Sequence, residues 1–503
     1  MSDECSQVFG PELLPNGNKS GIEHTGFDTD EQNMPLPTPL LSIGDITAKW
    51  TTWLLLATVL LVQMAGLQPA AVAGDWPRFL GPTGDSKSVE TGIRTDWSNG
   101  GLPVLWSRPL GESYGIGVVS QQRYYQFDRR GDKAQLLCLD ALTGDPLWEF
   151  EYPTDYEDMY GYNGGPRCSP LIDEDRAYLF GAEGMLHCVR TTDGRVLWKI
   201  DTAERFGVVQ NFFGVGSNPV IEGRLLIVMV GGSPPQSQTV PRGALDRVVG
   251  DNSGIVAFDK MTGQVVYRIT DELASYASLK LATIDGRRWC FAFARGALVG
   301  FEPSTGKVDF HYPWRSSLRE SVNASVPVVV NDQVFISEAY GPGSSLLQVR
   351  PGGYQVIWSD PPRSRQRAMQ THWNTAVFHE GFLYGSSGRH TNQAQLRCID
   401  WKTGEIQWSE PGWTLGSLLF VDGHFVHLGE YGELLLLKAN PERFEQVAVV
   451  RPVDQDGQPL LRYPCWAAPI LADGRLYVRG RDRVVCFQLV PQHDASPGAE
   501  NEE

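Results

Sequence analysis

Apolar and polar residues alternate along most of the chain in short stretches that are separated by turn sequences. The stretch from 137 to 148 reads LCLDALTGDPLW, and stretches of the same kind begin at Leu186, Ile255, Leu298 and Leu396. In each of them an alternating strand runs into a turn that contains glycine, and a second strand then ends in a large aromatic residue. Alternation with a period of two predicts β-strands, and glycine supplies the positive φ that a tight hairpin turn requires.

A second hairpin precedes each of these units. Its centre carries Asp-Gly, Glu-Gly or Asn-Asp, as in VPVVVNDQVFI (326–336) and APILADGRLYVRG (468–480), and such pairs are signals of a β-hairpin. The two hairpins together predict four antiparallel strands with a repeat of roughly fifty residues, which is the size of a propeller blade. Counting the first hairpin of every unit gives eight repeats.

The last repeat ends without its outer strand. Residues 484–489 read VVCFQL with no turn or Trp after them, whereas residues 103–106 read PVLW with no repeat before them. We therefore predict that the N-terminal strand completes the last blade, because ring closure removes the exposed edges of an open array. The predicted fold is all-β: an eight-bladed β-propeller of four-stranded antiparallel blades, closed by pairing of the N- and C-terminal strands, with seven blades as the alternative count.

Tryptophan recurs at the end of the outer strand. We interpret these residues as blade-docking side chains rather than as an aromatic binding box: Trp106, Trp148, Trp198, Trp358 and Trp408. The pattern A-x-T-G-x-x-x-W, seen as CLDALTGDPLW in residues 138–148, resembles the tryptophan-docking repeat of quinoprotein alcohol dehydrogenases, which use pyrroloquinoline quinone (PQQ). The same repeat builds the propeller scaffold of the bacterial outer-membrane β-barrel assembly machine. The resemblance covers roughly residues 103–490.

The resemblance to quinoprotein dehydrogenases also implies what an active member of that group contains. It implies an adjacent pair of cysteines beside PQQ, a catalytic Asp, and a calcium ion held by Glu and Asn. This chain has no Cys-Cys dipeptide, no C-x-x-C-H haem site and no recognisable calcium ligand set. We therefore expect no catalytic residues, no metal site and no cofactor, and we keep PQQ with calcium as the alternative.

Long loops join each outer strand to the next inner strand, and they mix aromatic residues with Asn, Arg and His. They enter successive blades at one channel mouth, where propellers bind ligands. Two interpretations stay open: a polar ring that binds an anionic small molecule or a glycan, or Asn residues that cap strand entries beside solvated arginines. The candidate ligand-binding residues are Asn163, Arg167, Asn218, Arg315, Arg319, Asn323, His372, Trp373 and Asn374.

Composition and charge narrow the classes of partner. The 503 residues are 42% hydrophobic and 11% aromatic, which is typical of a folded chain rather than a disordered one. A net charge of −16 argues against nucleic acid as a partner, because binding to phosphates needs a basic surface. We expect a monomer whose partner is an envelope protein or a polysaccharide.

A targeting segment precedes the repeats. Residues 53–67 are apolar and uncharged, Lys49 stands before them, and Ala-Val-Ala follows at 71–73. This arrangement is typical of a secretory signal, and the run is shorter than the roughly 20 residues of a spanning helix. The expected location is therefore periplasmic or otherwise extracytoplasmic, with a single N-terminal membrane anchor as the alternative.

The predicted organisation follows from these features in chain order. Residues 1–49 form a polar leader, either untranslated or disordered, and 50–73 a signal peptide or membrane anchor. Residues 74–102 form an N-terminal extension, 103–490 the propeller, and 491–503 a disordered tail. The predicted function is a non-catalytic, exported scaffold that binds a protein or a glycan. The alternatives are a quinoprotein-like oxidoreductase with PQQ or another cofactor at the channel mouth, and a hydrolase or lyase of unrecognised type.

Overall fold

The computed structural model describes residues 74–98, 100–318, 322–364 and 366–491. The predicted leader, the signal or anchor segment and nearly all of the predicted tail lie outside the described residues. Within the described part of the chain, no helix is both long enough and apolar enough to cross a membrane.

The described residues form 32 strands, one short α-helix, α1 (Thr202–Phe206), and three 3-10 helices, Pro235–Thr239, Leu245–Arg247 and Thr391–Gln393. The first sixteen strands are β1 (Val104–Pro109), β2 (Val118–Ser120), β3 (Arg123–Arg130), β4 (Lys133–Asp140), β5 (Pro146–Pro153), β6 (Leu171–Asp173), β7 (Arg176–Phe180), β8 (Met185–Arg190), β9 (Val196–Asp201), β10 (Val220–Glu222), β11 (Leu225–Met229), β12 (Ile255–Asp259), β13 (Val265–Ile269), β14 (Lys280–Ile284), β15 (Arg287–Phe293) and β16 (Ala297–Phe301). The other sixteen are β17 (Val308–Pro313), β18 (Val328–Val330), β19 (Gln333–Glu338), β20 (Gly343–Arg350), β21 (Gly353–Ser359), β22 (Val377–His379), β23 (Phe382–Ser387), β24 (Gln395–Asp400), β25 (Ile406–Pro411), β26 (Gly416–Val421), β27 (His424–Gly429), β28 (Leu434–Lys438), β29 (Gln446–Val450), β30 (Ile470–Ala472), β31 (Arg475–Arg479) and β32 (Arg483–Gln488).

These strands pair into eight four-stranded antiparallel sheets. Blade one is β2–β5, blade two β6–β9, blade three β10–β13, blade four β14–β17, blade five β18–β21, blade six β22–β25 and blade seven β26–β29. Blade eight combines β30, β31 and β32 with β1 from the beginning of the chain. The prediction of an eight-bladed propeller is therefore confirmed.

Ring closure is visible in the register of blade eight. Strand β1 pairs antiparallel with β32, and Trp106 lies opposite Cys486. The outer edge of β32 is thus covered by a strand from the other end of the chain, as the sequence predicted. A closed ring leaves no gap between the first and last blades through which the core could meet water.

The Asp-x-x-Thr-Gly turns are stabilised by hydrogen bonds within the turn itself. In blade one, Asp140 Oδ1 accepts hydrogen bonds from the backbone N–H groups of Leu142 (2.8 Å) and Thr143 (2.9 Å). The N–H of Gly144 then donates to the carbonyl oxygen of Asp140, with φ of +71° at the glycine. Side-chain bonds of this kind stabilise a turn locally, and glycine adopts the left-handed conformation without a Cβ penalty.

A register shift occurs in every blade of the described propeller. It lies between the third and fourth strands, and in blade eight between β32 and β1. In blade one, Cys138 lies opposite Trp148 while Leu139 lies opposite Pro146. A bulge of this type bends the strand and changes the direction of the adjacent side chain. The repeated bulge therefore aims the aromatic residue at the next blade.

The five repeat tryptophans make the same contact with the following blade. Each indole N–H donates to a backbone carbonyl there: Trp106 to Ala141 (3.1 Å), Trp148 to Thr191 (3.1 Å), Trp198 to Lys260 (3.0 Å), Trp358 to Trp401 (3.0 Å) and Trp408 to Asn440 (2.9 Å). In blade three the hydroxyl of Tyr267 does the same with Pro303 at 2.6 Å. The geometry repeats because the register shift recurs at the same place in each of these blades.

Cysteine fills one position of the blade core. The seven described cysteines are all buried and free, and four of them lie between a Tyr and a Trp on neighbouring strands. Tyr125, Cys138 and Trp148 form such a row in blade one. Burial raises the pKa of the Cys138 thiol to about 12, so this side chain packs as a small uncharged group.

The N-terminal extension, residues 74–102, runs across the inner strands of several blades. Trp76 exchanges two backbone hydrogen bonds with Val119 of β2, at 2.8 and 2.9 Å. The Nζ of Lys280 in β14 donates to the carbonyls of Thr83 (2.9 Å) and Gly84 (2.6 Å). Phe420 of β26 and the hairpin turns of blades seven and eight make further hydrogen bonds to residues 86–92. The extension is thus tied to blades on opposite sides of the ring.

Candidate functional site

A cavity of about 610 Å³ occupies the propeller channel. Its wall comes from residues that lead into the inner strands of the blades, such as Tyr114 before β2 and Trp466 before β30. Phe79, Leu80 and Ser86 of the N-terminal extension also line it. The extension crosses the inner strands near their other ends, so it forms a floor. We call this space the channel cavity.

Aromatic rings follow one another around the wall of the channel cavity. The ring centroids of Trp466 and Trp373 are 5.1 Å apart, and those of Trp466 and Tyr162 are 5.7 Å apart. On one side the series continues from Trp373 to His372 at 5.2 Å and on to Tyr340 at 5.4 Å. Centroid separations of this size are those of packed aromatic pairs, so the rings support one another in fixed orientations.

Three residues of this wall carry buried polar atoms that lack a hydrogen-bond partner among the described residues. They are Oε1 of Glu430, the indole N–H of Trp373 and Nδ1 of His372. Glu430 is 2% exposed, and its other carboxylate oxygen accepts a hydrogen bond from the Trp466 indole at 3.2 Å. A buried polar group without a partner costs free energy, which a ligand with matching groups would recover.

Burial sets the protonation of the wall. It lowers the pKa of His372 to about 4, with a smaller contribution from the nearby positive charges of Arg389 and His390. Burial also raises the pKa of Tyr114 and of Tyr340 to about 12. At neutral pH the imidazole and the phenols are therefore uncharged.

Arg167 lines the channel cavity as part of a fixed pair. Its guanidinium donates to Oδ2 of Asp158 at 2.8 Å, and both side chains are almost fully buried. The same guanidinium lies 5.4 Å from the ring centroid of Tyr114 and 5.2 Å from that of Tyr156. These contacts hold Arg167 in the wall and neutralise much of its charge.

The predicted asparagines act mainly within the fold. Asn218 Oδ1 accepts from the Ser169 N–H at 2.7 Å, and Asn374 donates to the Ser386 carbonyl at 2.7 Å. Asn323 donates to the Ala294 carbonyl at 2.7 Å. Asn218 and Asn374 line the channel cavity, whereas Asn323 is not among its lining residues. Of the two interpretations left open by the sequence, the contacts favour strand-entry capping.

The other predicted ligand residues divide between the cavity and its surroundings. His372 and Trp373 line the channel cavity together with Arg167. Asn163 is not among the lining residues, and its Oδ1 accepts from the Gly165 N–H at 3.1 Å. Arg315 pairs with Asp246 away from the cavity. Arg319 lies outside the described residues. A ligand-binding role for any of them stays a prediction.

Sequence reasoning missed a second group of lining residues. Tyr340, Arg389 and Glu430 lie in hairpins between the second and third strands of blades five, six and seven. An antiparallel blade brings these hairpins to the same mouth as the loops that enter the inner strands. The predicted order of antiparallel strands therefore implies that these hairpins lie at this mouth, but no motif distinguishes Tyr340, Arg389 and Glu430.

The residues of the channel cavity do not fit PQQ with calcium. Glu430 is the one acidic residue among the described residues that line the cavity, and the Asn374 amide is already used within the fold. No group of three or more His, Cys, Asp or Glu able to hold a metal occurs in the described part of the chain. The described cysteines are buried and unpaired, so none can form a disulfide ring beside a quinone. A calcium ion prefers six or more oxygen ligands, which this wall does not offer.

Comparison with known proteins places the fold. A family model described as the outer membrane protein assembly factor BamB matches residues 95–233 and 132–410, which is more than half of the chain. The crystal structure of BamB from Moraxella catarrhalis is similar, with 13% identity and a TM-score of 0.51, over 78% of this chain and 99% of that one. Quinohemoprotein alcohol dehydrogenase from Comamonas testosteroni is also similar, with 13% identity and a TM-score of 0.57, over 86% of this chain and 83% of that one.

Identities this low establish the fold alone. No curated protein sequence matches the chain. The family model and the eight closed blades agree with the repeat pattern of the sequence. The chain therefore belongs to the PQQ-like β-propeller family whose model carries the description of the assembly factor BamB.

Proposed function

We propose that this protein is a non-catalytic, exported propeller that binds a carbohydrate in the channel cavity. The observation that carries the proposal is the wall itself, which combines packed aromatic rings with buried polar atoms that lack partners. A sugar ring has an apolar C–H face that packs on an aromatic ring, and its hydroxyl groups both donate and accept hydrogen bonds. Sugar hydroxyls could therefore satisfy Glu430, Trp373 and His372 together.

The floor of the channel cavity favours the end of a glycan rather than its middle. Phe79, Leu80 and Ser86 close the side opposite the mouth, and the extension that carries them is bonded to several blades. A segment held across the channel in this way favours a bound chain end over a threaded polymer. The rim of the mouth carries exposed tyrosines, among them Tyr162 and Tyr463, against which further sugar units could pack.

The absence of an acid pair supports binding without cleavage. Glycoside hydrolysis generally uses two carboxylates on either side of the scissile bond. Among the described residues of the cavity wall, Glu430 is the one carboxylate. The phenols and His372 are uncharged at neutral pH and offer hydrogen bonds to sugar hydroxyl groups.

The proposed location outside the cytoplasm has its support in the sequence. The uncharged segment 53–67 and the Ala-Val-Ala triplet at 71–73 are the features of a secretory signal. An envelope or secreted location would also bring the protein into contact with polysaccharide.

A glycan array followed by calorimetric titration tests the proposal. We expect the purified full chain to bind a subset of oligosaccharides, and Trp466→Ala to weaken that binding at least tenfold. Trp413→Ala is the matched control, since Trp413 packs against Phe444 (6.0 Å between centroids) and is not among the residues lining the cavity. Thermal unfolding of each variant separates lost binding from lost folding.

Three results would contradict the proposal. The first is an array without any bound glycan. The second is uptake of PQQ with calcium and dye-linked alcohol oxidation, which would support the oxidoreductase. The third is equal loss of binding in Trp466→Ala and Trp413→Ala, which would show that the cavity is not the site.

A further inference from the structure

A second recess adjoins the channel cavity between blades five and six. Its volume is about 390 Å³, and it shares Tyr340, Arg389 and His390 with the channel cavity. Arg397 and the side chains of three glutamines complete its polar wall: Gln370, Gln393 and Gln395. We call it the basic recess, because its described lining includes two arginines and no acidic residue.

The positive lining of the basic recess stands out against the rest of the protein. The whole chain is acidic, with a net charge of −16, although much of this excess lies in the predicted leader and tail, outside the described residues. A recess with two guanidinium groups and no carboxylate in its described wall is therefore a local reversal of sign. Such a reversal in a concave space attracts anions, and its low-dielectric walls strengthen the attraction.

Arg389 is the guanidinium that is prepared to receive a ligand. It is half-buried, and it lies 4.3 Å from the ring centroid of Tyr340. No described residue accepts a hydrogen bond from it or forms an ion pair with it. Stacking on an aromatic face fixes the orientation of a guanidinium and leaves its N–H groups, which lie in the plane, available for a bidentate contact.

Three other arginines, Arg397, Arg167 and Arg315, are already engaged with other groups of the protein. Arg397 donates to the carbonyls of Arg367 (2.8 Å) and Ala368 (3.0 Å), to Ser409 and to Gln395. Arg167 pairs with Asp158, and Arg315 pairs with Asp246. Arg397 therefore contributes charge to the basic recess, whereas Arg389 contributes both charge and free donors.

We propose that the glycan is acidic and that its carboxylate or sulfate group occupies the basic recess against Arg389. This inference rests on the proposed function and adds to it the chemical class of the ligand. One sugar unit packs on Trp373 and Tyr340 in the channel cavity, and its anionic substituent reaches the guanidinium at the boundary that the two spaces share. Glu430 lies on the side of blade seven, where it accepts from uncharged hydroxyl groups.

Matched oligosaccharides on one backbone test the inference. Galactotriose, trigalacturonate and a sulfated galactotriose, together with the matched neutral and acidic members of the glycan array, are titrated into the full chain. We expect at least tenfold tighter binding of acidic members than of their neutral counterparts, and the stronger of the carboxylate and sulfate series identifies the group. Higher salt should reduce the acidic preference, because screening weakens ion pairing.

Variants of Arg389 test whether the basic recess causes the preference for acidic oligosaccharides. Arg389→Gln should lower the affinity for acidic members at least tenfold and that for neutral members by much less. The ratio of acidic to neutral affinity should therefore fall toward one. Arg389→Lys keeps the charge and should retain part of the ratio, which also shows that the site still folds. Arg350→Gln, an exposed arginine that lines neither space, removes the same charge and should leave the ratio unchanged.

The outcomes separate the two proposals. Equal binding of acidic and neutral members, or an unchanged ratio in Arg389→Gln, would overturn the acidic-ligand inference and leave carbohydrate binding intact. Failure to bind any glycan in either series would overturn both.

Discussion

Buried histidines show at the scale of single residues how strongly this interior disfavours charge. Burial lowers the pKa of His187 to about 4 and that of His427 to about 3. Both ring nitrogens of His427 are buried and have no partner among the described residues. The unfolded chain protonates a histidine below about pH 6.5, whereas the folded chain does not do so until much lower pH. Below pH 6.5 the unfolded state thus binds more protons at these sites.

The sign of the pH effect follows from this difference. Stability rises with pH wherever the unfolded state binds more protons, so the contribution of His427 falls as the pH drops from about 6.5 toward 3. We predict that His427→Leu makes the protein less sensitive to acid. The free energy of unfolding of His427→Leu minus that of the parent should increase by a few kcal/mol as the pH falls from about 6.5 toward 3. A tenfold change in proton affinity corresponds to about 1.4 kcal/mol.

Denaturant unfolding at pH 7, 5.5 and 4 measures the effect of His427→Leu. His424→Leu is the control, because His424 lies in the same strand and is only partly buried. A constant difference between His427→Leu and the parent at all three pH values would contradict the prediction.

The contact between blades depends on a few turn glycines at the scale of the structural element. A Cβ on Gly144 would lie 2.6 Å from the Trp106 ring, closer than side-chain carbons approach one another. Gly286 has a similar φ of +76°, but a Cβ there would meet no atom within 4 Å. The two positions therefore separate the cost of a positive φ from the cost of a steric clash with the docking tryptophan.

We predict that Gly286→Ala costs about 1 kcal/mol, because only the left-handed backbone is penalised. Gly144→Ala should cost about 1–3 kcal/mol more, since the added methyl forces Trp106 out of its packing position. Chemical denaturation of the two variants gives the difference directly. Equal destabilisation would mean that the tryptophan does not determine how closely the blades approach.

The N-terminal extension depends on a buried amine. Lys280 donates from β14 to two carbonyls of the extension, and burial lowers its pKa to about 8. We predict that Lys280→Met releases residues 79–88 from the blades, because it removes both hydrogen bonds. Hydrogen exchange should then accelerate at least tenfold in these residues while the strands of blades one to seven stay protected.

Lys438→Met serves as the control for this measurement, since Lys438 is exposed at the end of β28. Unchanged exchange of residues 79–88 in Lys280→Met would show that the floor of the channel cavity is held by its other contacts.

At the scale of the whole molecule, closure joins the two ends of the chain. Strand β1 covers β32, whose residues Val484, Val485 and Phe487 are buried in the closed ring. We predict that a chain starting at residue 103 stays monomeric, whereas a chain starting at residue 110 aggregates, because an uncovered apolar edge pairs with other chains. Size-exclusion chromatography with light scattering measures this, and two equally monomeric products would contradict it.

The sequence predicts this architecture well and the site only in part, for physical reasons. Strand alternation, the Asp-x-x-Thr-Gly turns and the unpaired strand at Trp106 are local signals that repeat, so they add up to eight closed blades. The path of residues 74–98 has no such signal, because it is set by hydrogen bonds to distant residues such as Lys280 and Asp422.

The residues of the site also divide into those with a local sequence signal and those without one. His372 and Trp373 were predicted because they stand in an entry loop, and they line the channel cavity. Arg389 and Glu430 stand in hairpins that no motif marks, and their importance depends on where the ring brings them. The hydrogen-bond partners of the Asn218 and Asn374 side chains also come from neighbouring strands and blades rather than from adjacent residues.

The position of a bound oligosaccharide in a crystal structure tests the central claim most directly. The proposal predicts sugar density in the channel cavity packed against the rings of Trp373 and Trp466, with the chain end toward Phe79 and an acidic group beside Arg389. Sugar density on the outer strands of the blades with the channel cavity filled by solvent, or PQQ within it, would contradict the proposal.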